Sequence, residues 1–337
     1  MPIPGMATTF DLPNYVGTLF SLTPTSTPLL SAIGALSGGG DAIDNKVFEW
    51  QGYDLRAAEN PANLEGATAP AGRERTRVNY QNVAQIFHSA VDLSYTVQAA
   101  SGRRSGLPGA SGIDDEFDWQ VEQELKSLKL DMEFTMMSAT AFVNPATNAS
   151  ARKMAGIFST KTGTPPAVQT GAIDSSHIFD HATPGTARAL TKLIINNALQ
   201  KIWEDGGISE EETATLVVSP GVKRKLTDLY ITGTGYAEAT RNIGGVSLDT
   251  IITDFGRLNI MMSRYVPNVD ATHHRIGIFS LEQIKPKFLL IPNKGFLFVE
   301  PLAKTGANDK VQIYGEVGLE LGSPLAHGAI VSIDPAL

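Results

Sequence analysis

The chain has no cysteine, which excludes disulfides and thiolate metal sites and fits folding in a reducing cytoplasm. No stretch approaches the ~18 uninterrupted apolar residues of a membrane span. The first residues, MPIPGMATTFDLPNY, have neither a basic start nor an apolar core region of a secretory signal. A soluble protein is expected. Charge is also scarce, at 18% of residues, and it leans acidic: 27 Lys and Arg face 35 Asp and Glu, for a net charge of −8. That balance excludes the global electrostatic pull of a nucleic-acid binder. There is no internal repeat and no low-complexity tract. Glycine and proline are plentiful, with 32 and 19 copies, and 42% of the 337 residues are hydrophobic. Many turns and extended loops around one large core or two modest ones are therefore expected.

One stretch dominates, Ile113 to about Val143. Phe117, Val121, Leu125, Leu128, Met132 and Met136 recur at intervals of four and three, which places them on one stripe of a helix. Leu130, Phe134 and Met137 widen the stripe, so the helix is predicted to be wet at its start and buried towards its end. Ser111 stands at a capping-box spacing from Asp114. Asp114, Asp115, Glu116 and Asp118 then suit the positive end of the helix dipole. Without Gly or Pro, the run could extend for roughly 45 Å, a length that suits a scaffold.

Ahead of this helix, residues 1–45 read as an arm. It is broken by Pro2, Pro4, Pro13, Pro24 and Pro28, yet it carries Phe10, Leu12, Tyr15, Leu19 and Phe20, which have no private core to bury them. The arm is expected to pack on another surface. KVFEWQGYDL (46–55) and the return from Arg73 to Ser94 read as two strands joined by an exposed loop rich in Ala, Gly, Pro and Asn. Arg73, Arg75 and Arg77 share one side of the returning strand by its period of two. A two-stranded hairpin is marginal in water, so this one should lie on something.

Residues 144–176 read as a second long loop. Beyond it come tidier α/β units: a helix from about Gly185 to Asp205 capped by Thr183-Pro184, a buried strand at 213–218, and a helix starting at Ser219-Pro220. Strands follow at 246–253, 258–266, 276–279, 287–291, 296–299 and 311–321.

Four patterns could carry chemistry. His177 and His181 have zinc-helix spacing, but Ile178 stands where a metalloprotease places its glutamate, so they read as ordinary surface histidines. Ser150 to Lys153 matches S-x-x-K, and K-T-G recurs at 161–163 and 304–306, as in serine acyl-enzymes. The completing S-D-N element is absent, and Ser150 lies in a loop. Gly233-Thr234-Gly235 follows a helix and lacks the third glycine of a dinucleotide loop. The acidic start of the long helix reads as solvated partners of the dipole. No catalytic residue, metal site or cofactor is assigned.

The segments TPTSTPLLSAIG, KVFEWQGYDLRAA, RVNYQNVAQIFHSAVDLS, ARKMAGIFST, TLVVSPGVKRKL and VEPLAKTGANDKVQIYGEVGLELGSPLAHGAI follow one another in an order that resembles the major capsid proteins of tailed bacteriophages with the Hong Kong 97-type fold. The resemblance implies an α+β fold with four parts. These are an N-terminal arm (1–45), an extended hairpin loop (46–94), a peripheral domain with its spine helix at 113–143 (95–182), and an α/β axial domain (183–337) whose last strands return to the peripheral domain. It implies a non-enzymatic shell subunit, arranged as hexamers and pentamers around double-stranded DNA that it does not read, located in the virion and assembled in the host cytoplasm. Scaffolding, portal and decoration proteins are candidate partners, and no membrane is involved. No helical scaffolding segment precedes the arm, so scaffolding is expected as a separate protein or a removed part. An encapsulin-like compartment, which encloses proteins, is the alternative, and a serine acyl-enzyme the remote one. The expected subunit-interface residues are Phe10, Tyr15 and Phe20 of the arm, with Arg73, Arg75 and Arg77 facing Asp114, Asp115 and Glu116 of a neighbour's helix.

Overall fold

The computed structural model describes residues 24–34, 40–53, 55–56, 58–101, 116–147, 149–164, 167–180, 183, 185–207, 213–230, 249–304 and 306–337. In chain order the elements begin with α1 (Pro28–Ala32), β1 (Asp41–Ile43), β2 (Val47–Tyr53), β3 (Arg77–Val83) and β4 (Gln85–Ser94). Helices α2 (Tyr95–Ser101) and α3 (Glu116–Met136) follow, then β5 (Ile178–Phe179), β6 (Arg188–Ala189), α4 (Lys192–Glu204), β7 (Thr213–Val218) and α5 (Pro220–Tyr230). The rest is strand: β8 (Thr250–Thr253), β9 (Gly256–Met262), β10 (His274–Phe279), β11 (Lys285–Leu289), β12 (Leu297–Pro301), β13 (Asn308–Glu320) and β14 (Gly328–Asp334). The chain forms two compact units. One contains Phe87–Leu130 and Leu297–Gly315; the other contains Thr27–Ile86, Asp131–Phe296 and Glu316–Leu337.

The larger unit is built on a sheet ordered β5-β14-β10-β7-β9-β8, with β6 also on β14. Strands β7 and β9 run parallel from Thr213↔Arg257 to Val218↔Met262, while β10 is antiparallel to both β7 and β14. A parallel pair needs a crossover, and the chain between them includes α5. Ile195, Ala198, Leu199 and Ile202 of α4 pack with Val222 and Leu226 of α5 against Leu216, Ile276, Ile278 and Ile330 of the sheet. Each of the Ile, Leu and Val side chains among these contributes about 1.5–3 kcal/mol by leaving water.

Helix α4 starts at Lys192, not near Gly185, because Thr191 supplies the cap by accepting from the Ile194 N–H. The preceding Arg188 and Ala189 pair instead with Ile333 and Asp334 of β14, where an edge strand was available. The helix stops as predicted at Gly206, which adopts φ +77°, the left-handed conformation that glycine enters without a Cβ penalty.

Strands β2 and β3 form a hairpin in register from Val47↔Val83 to Tyr53↔Arg77, but the return strand expected over 73–94 is divided, because Gln85–Ser94 leaves the hairpin as β4 and pairs with β13. Phe48, Trp50 and Tyr80 stack along one face with centroids 6.1 Å apart. The hairpin does lie on something. Trp50 Nε1 donates to the Gly322 carbonyl at 2.8 Å, and a Cβ at Gly318 would stand 2.5 Å from the Phe48 ring. Buried Asn82 anchors the base, donating to the carbonyls of Ala155 and Leu319 and accepting from the Ala155 N–H.

Residues 144–176 are not the open loop expected from composition. Met154, Ala155, Ile157, Phe158, Ala172 and Ile173 are buried, held by short bridges between Val143 and Lys153, Thr160 and Ile173, and Thr162 and Thr170. This segment also ends the spine helix. Ile157 N–H takes the Met136 carbonyl at 2.8 Å and Phe158 N–H takes that of Ser138 at 3.2 Å. Acceptors that would have continued the helix to Val143 are thus already bonded, and α3 stops at Met136. Residues 113–115 lie outside the described residues.

In the smaller unit β12 pairs with β13 from Leu297↔Gly315 to Pro301↔Val311, and β4 also pairs with β13. Lys304 reaches Tyr95 Oη at 2.8 Å and Asp309 at 2.7 Å. Asn308 donates to Asp92, and Ser89 to Glu124 of α3.

Candidate assembly surfaces

The described end of the arm is a five-residue helix whose Leu29 and Leu30 are buried. Helices this short leave their first N–H groups without partners, and the Thr27 side chain makes no capping bond. Glu133 does the work from α3: its two carboxylate oxygens accept the N–H groups of Leu29 and Leu30 at 2.9 and 2.8 Å. Burial pushes the Glu133 carboxyl above the usual range, opposed by those two bonds. The arm therefore joins the spine through one buried carboxylate that sequence reading passed over. A signal was present, since Glu133 falls between Leu130, Met136 and Met137 on the widened apolar stripe. Phe134, placed on that stripe in advance, is instead 59% exposed, with its ring edge-on to Tyr265. Phe10, Tyr15 and Phe20 lie outside the described residues.

The hairpin tip is exposed from residue 58 to residue 77, and Leu64 is 86% exposed. The arginine row differs from expectation. Strand β3 begins at Arg77, so Arg73 and Arg75 precede the ladder and the period of two does not align them. Glu59 draws Arg73 back across the loop at 2.6 Å, with Arg56 at 3.4 Å, while Arg77 reaches Gln51 at 3.4 Å. At the helix start Asp114 and Asp115 lie outside the described residues; Glu116 accepts from Gln120 at 2.8 Å, and Asp118 is exposed.

The chemical motifs are taken up structurally. Ser150 is exposed in a non-helical segment, and Lys153 pairs with Val143 through its backbone. The K-T-G lysines are both in ion pairs, Lys304 as above and Lys161 with Asp174. Burial raises the Asp174 carboxyl, but bonds from Lys161 and Ser176 outweigh this and hold it at about 2. His177 is not a surface residue: it is fully buried, with Nδ1 3.1 Å from the His327 carbonyl and Nε2 2.8 Å from Asp205. His181 and Gly233 to Gly235 lie outside the described residues. Among the described residues no three His, Asp or Glu side chains form a metal-binding group, and no helix is long and apolar enough to cross a membrane.

A spine helix, a hairpin with an exposed tip, an arm docked on the spine and a mixed sheet thus share one chain. The SU10 major capsid protein family matches it over residues 3–334. The chain belongs to that family. This capsid chain is 29% identical over 121 residues to the major capsid protein of Escherichia phage Phieco32, a match covering 36% of this chain and 31% of that relative's length. Solved structures place the fold. The cyanophage A-1(L) capsid asymmetric unit matches at 15% identity with a TM-score of 0.64, covering 97% of this chain and 98% of the other. The capsid of a native GTA particle matches at 11% identity and 0.63, covering 97% of each. The holo-SrpI encapsulin complex from Synechococcus elongatus PCC 7942 matches at 11% identity and 0.56, covering 97% and 94%. The architecture is the Hong Kong 97-type capsid fold.

Proposed function

We propose that this capsid protein is a non-enzymatic subunit that closes into icosahedral shells of hexamers and pentamers around double-stranded DNA, assembling in the host cytoplasm and residing in the virion. The family match over residues 3–334 carries the reading. Two physical features support it. Leu55 and Leu64, at and beside the hairpin tip, are exposed apolar groups that neighbouring copies would cover, and the sequence of the arm supplies Phe10, Tyr15 and Phe20 for the same use. The net charge of −8 suits a container that must release its contents rather than grip phosphates. Arg73, Arg75 and Arg77 near the tip are proposed to lie over an adjoining subunit. Scaffolding, portal and decoration proteins would complete the particle. A second, less supported reading is a shell that encloses proteins, since the fold is shared with an encapsulin. Nuclease-treated shells from infected cells decide between them: protected double-stranded DNA supports the virion, and a co-purifying protein cargo without DNA supports the compartment.

A further inference from the structure

In the larger unit a cavity of 630 Å³ opens between Lys46 and Gln85 on one side and residues 144–153 on the other. Among the described residues no aspartate or glutamate lines it, while Lys46, Arg152 and Lys153 do. Lys126, Lys161, Lys201, Lys223, Lys287 and Lys304 all sit in ion pairs, whereas the amines of Lys46 and Lys153 have no partner among the described residues. Arg152 gives a terminal nitrogen to Glu316, but its Nε is buried without a partner. Glu316 offsets Arg152, and no acidic side chain among the described lining residues offsets Lys46 or Lys153, so the cavity keeps an excess of positive charge on an acidic molecule.

The ligand chemistry follows from charge and size. Free amines call for oxyanions, which they bind with charge-assisted hydrogen bonds. A water molecule takes up about 30 Å³ of liquid, so one inorganic anion would leave most of the cavity unfilled, whereas a chain segment with several side chains would occupy it. Copies of a chain with net charge −8 repel one another, and association requires places where the sign is locally reversed. The complementary surface is present in every copy: exposed Asp118 and half-buried Glu116 at the start of α3.

We propose that the Lys46–Arg152–Lys153 cavity is an interface site that receives the acidic start of α3 from a second copy of this chain. The inference rests on the shell reading above and names one contact within it. The arginines near the hairpin tip are not required for it, since Arg73 is already held by Glu59.

Charge reversal tests it. Purified K46E/K153E chain should melt like the wild type, because both lysines are exposed, yet should give at least tenfold fewer shells by light scattering and electron microscopy. K46Q/K153Q should show a smaller loss. Adding Glu116→Lys and Asp118→Lys to K46E/K153E should restore assembly. Normal assembly of K46E/K153E would overturn the site. Failure of the compensating pair to restore shells, with the chain still folded, would overturn the partner. Normal shells that retain less DNA would mean that the cavity holds phosphate, which also overturns the proposal. If the wild type itself forms no shells in any condition, the shell reading fails first and takes this contact with it.

Discussion

Two buried titratable side chains dominate at the scale of single residues, and they respond to pH in opposite senses. Glu133 holds the arm helix through two backbone N–H groups. Truncation to Ala leaves both donors buried and unsatisfied, which should cost on the order of 2–4 kcal/mol. Urea unfolding of the subunit measures this, and a change below about 0.5 kcal/mol would show that the arm helix is not held there. Because the folded state raises the Glu133 carboxyl above its ordinary value, it binds the proton more readily than the unfolded chain does. The contribution of this group therefore falls as pH rises from the ordinary glutamate range into the raised one, and mild acid should not release the arm. His327 behaves in the opposite way. Burial, with a smaller effect from His177, depresses its imidazole from 6.5 to about 4, against a bond to the Leu321 carbonyl. Its stabilising effect is complete above 6.5 and is lost as pH falls through 4, by about 3 kcal/mol. His327→Gln should flatten that part of the pH–stability curve. An unchanged slope would place the acid sensitivity elsewhere.

Among the elements, the spine helix was the most legible. Its stripe at Leu128, Met132 and Met136 is buried, while Phe117, Val121 and Leu125 are only half-buried. Leu128→Ala should therefore cost about 2–5 kcal/mol and Leu125→Ala clearly less. Chemical denaturation of both variants checks the gradient, and equal losses would contradict it. The hairpin, β7 and the helix beginning at Pro220 were also readable, because their alternation or capping signals are local. Misreadings occurred where a distant partner competed. Residues 185–191 look helical until β14 offers an edge to Arg188. The spine pattern runs on to Val143 until residues 157 and 158 take the carbonyls of Met136 and Ser138. Small residues such as Gly156 suggested a loop, but there they permit close approach: a Cβ at Gly156 would stand 2.3 Å from the Ser138 carbonyl oxygen. Glu133 escapes notice and His177 reads as a surface residue for the same reason. Local sequence does not reveal that a polar side chain has a buried partner more than twenty residues away. Arg152 and Lys153 read only as part of a catalytic motif and Lys46 as the start of a strand, since their shared lack of acidic neighbours is a property of the fold.

For the whole molecule the question is how an acidic chain with surplus apolar segments becomes a particle. Removing residues 1–23 should lower shell yield or heat stability, because Phe10, Tyr15 and Phe20 would otherwise bury at about 25 cal/mol per Å² of apolar area. Equally stable shells from the truncated chain would show that the arm's first part is dispensable. The central claim is self-assembly into closed icosahedral shells, and electron microscopy of the purified, concentrated full-length chain tests it most directly. Closed particles with five- and six-fold clusters of subunits are the expected result. A protein that stays monomeric at every concentration and salt, even when co-expressed with other phage proteins, would contradict it.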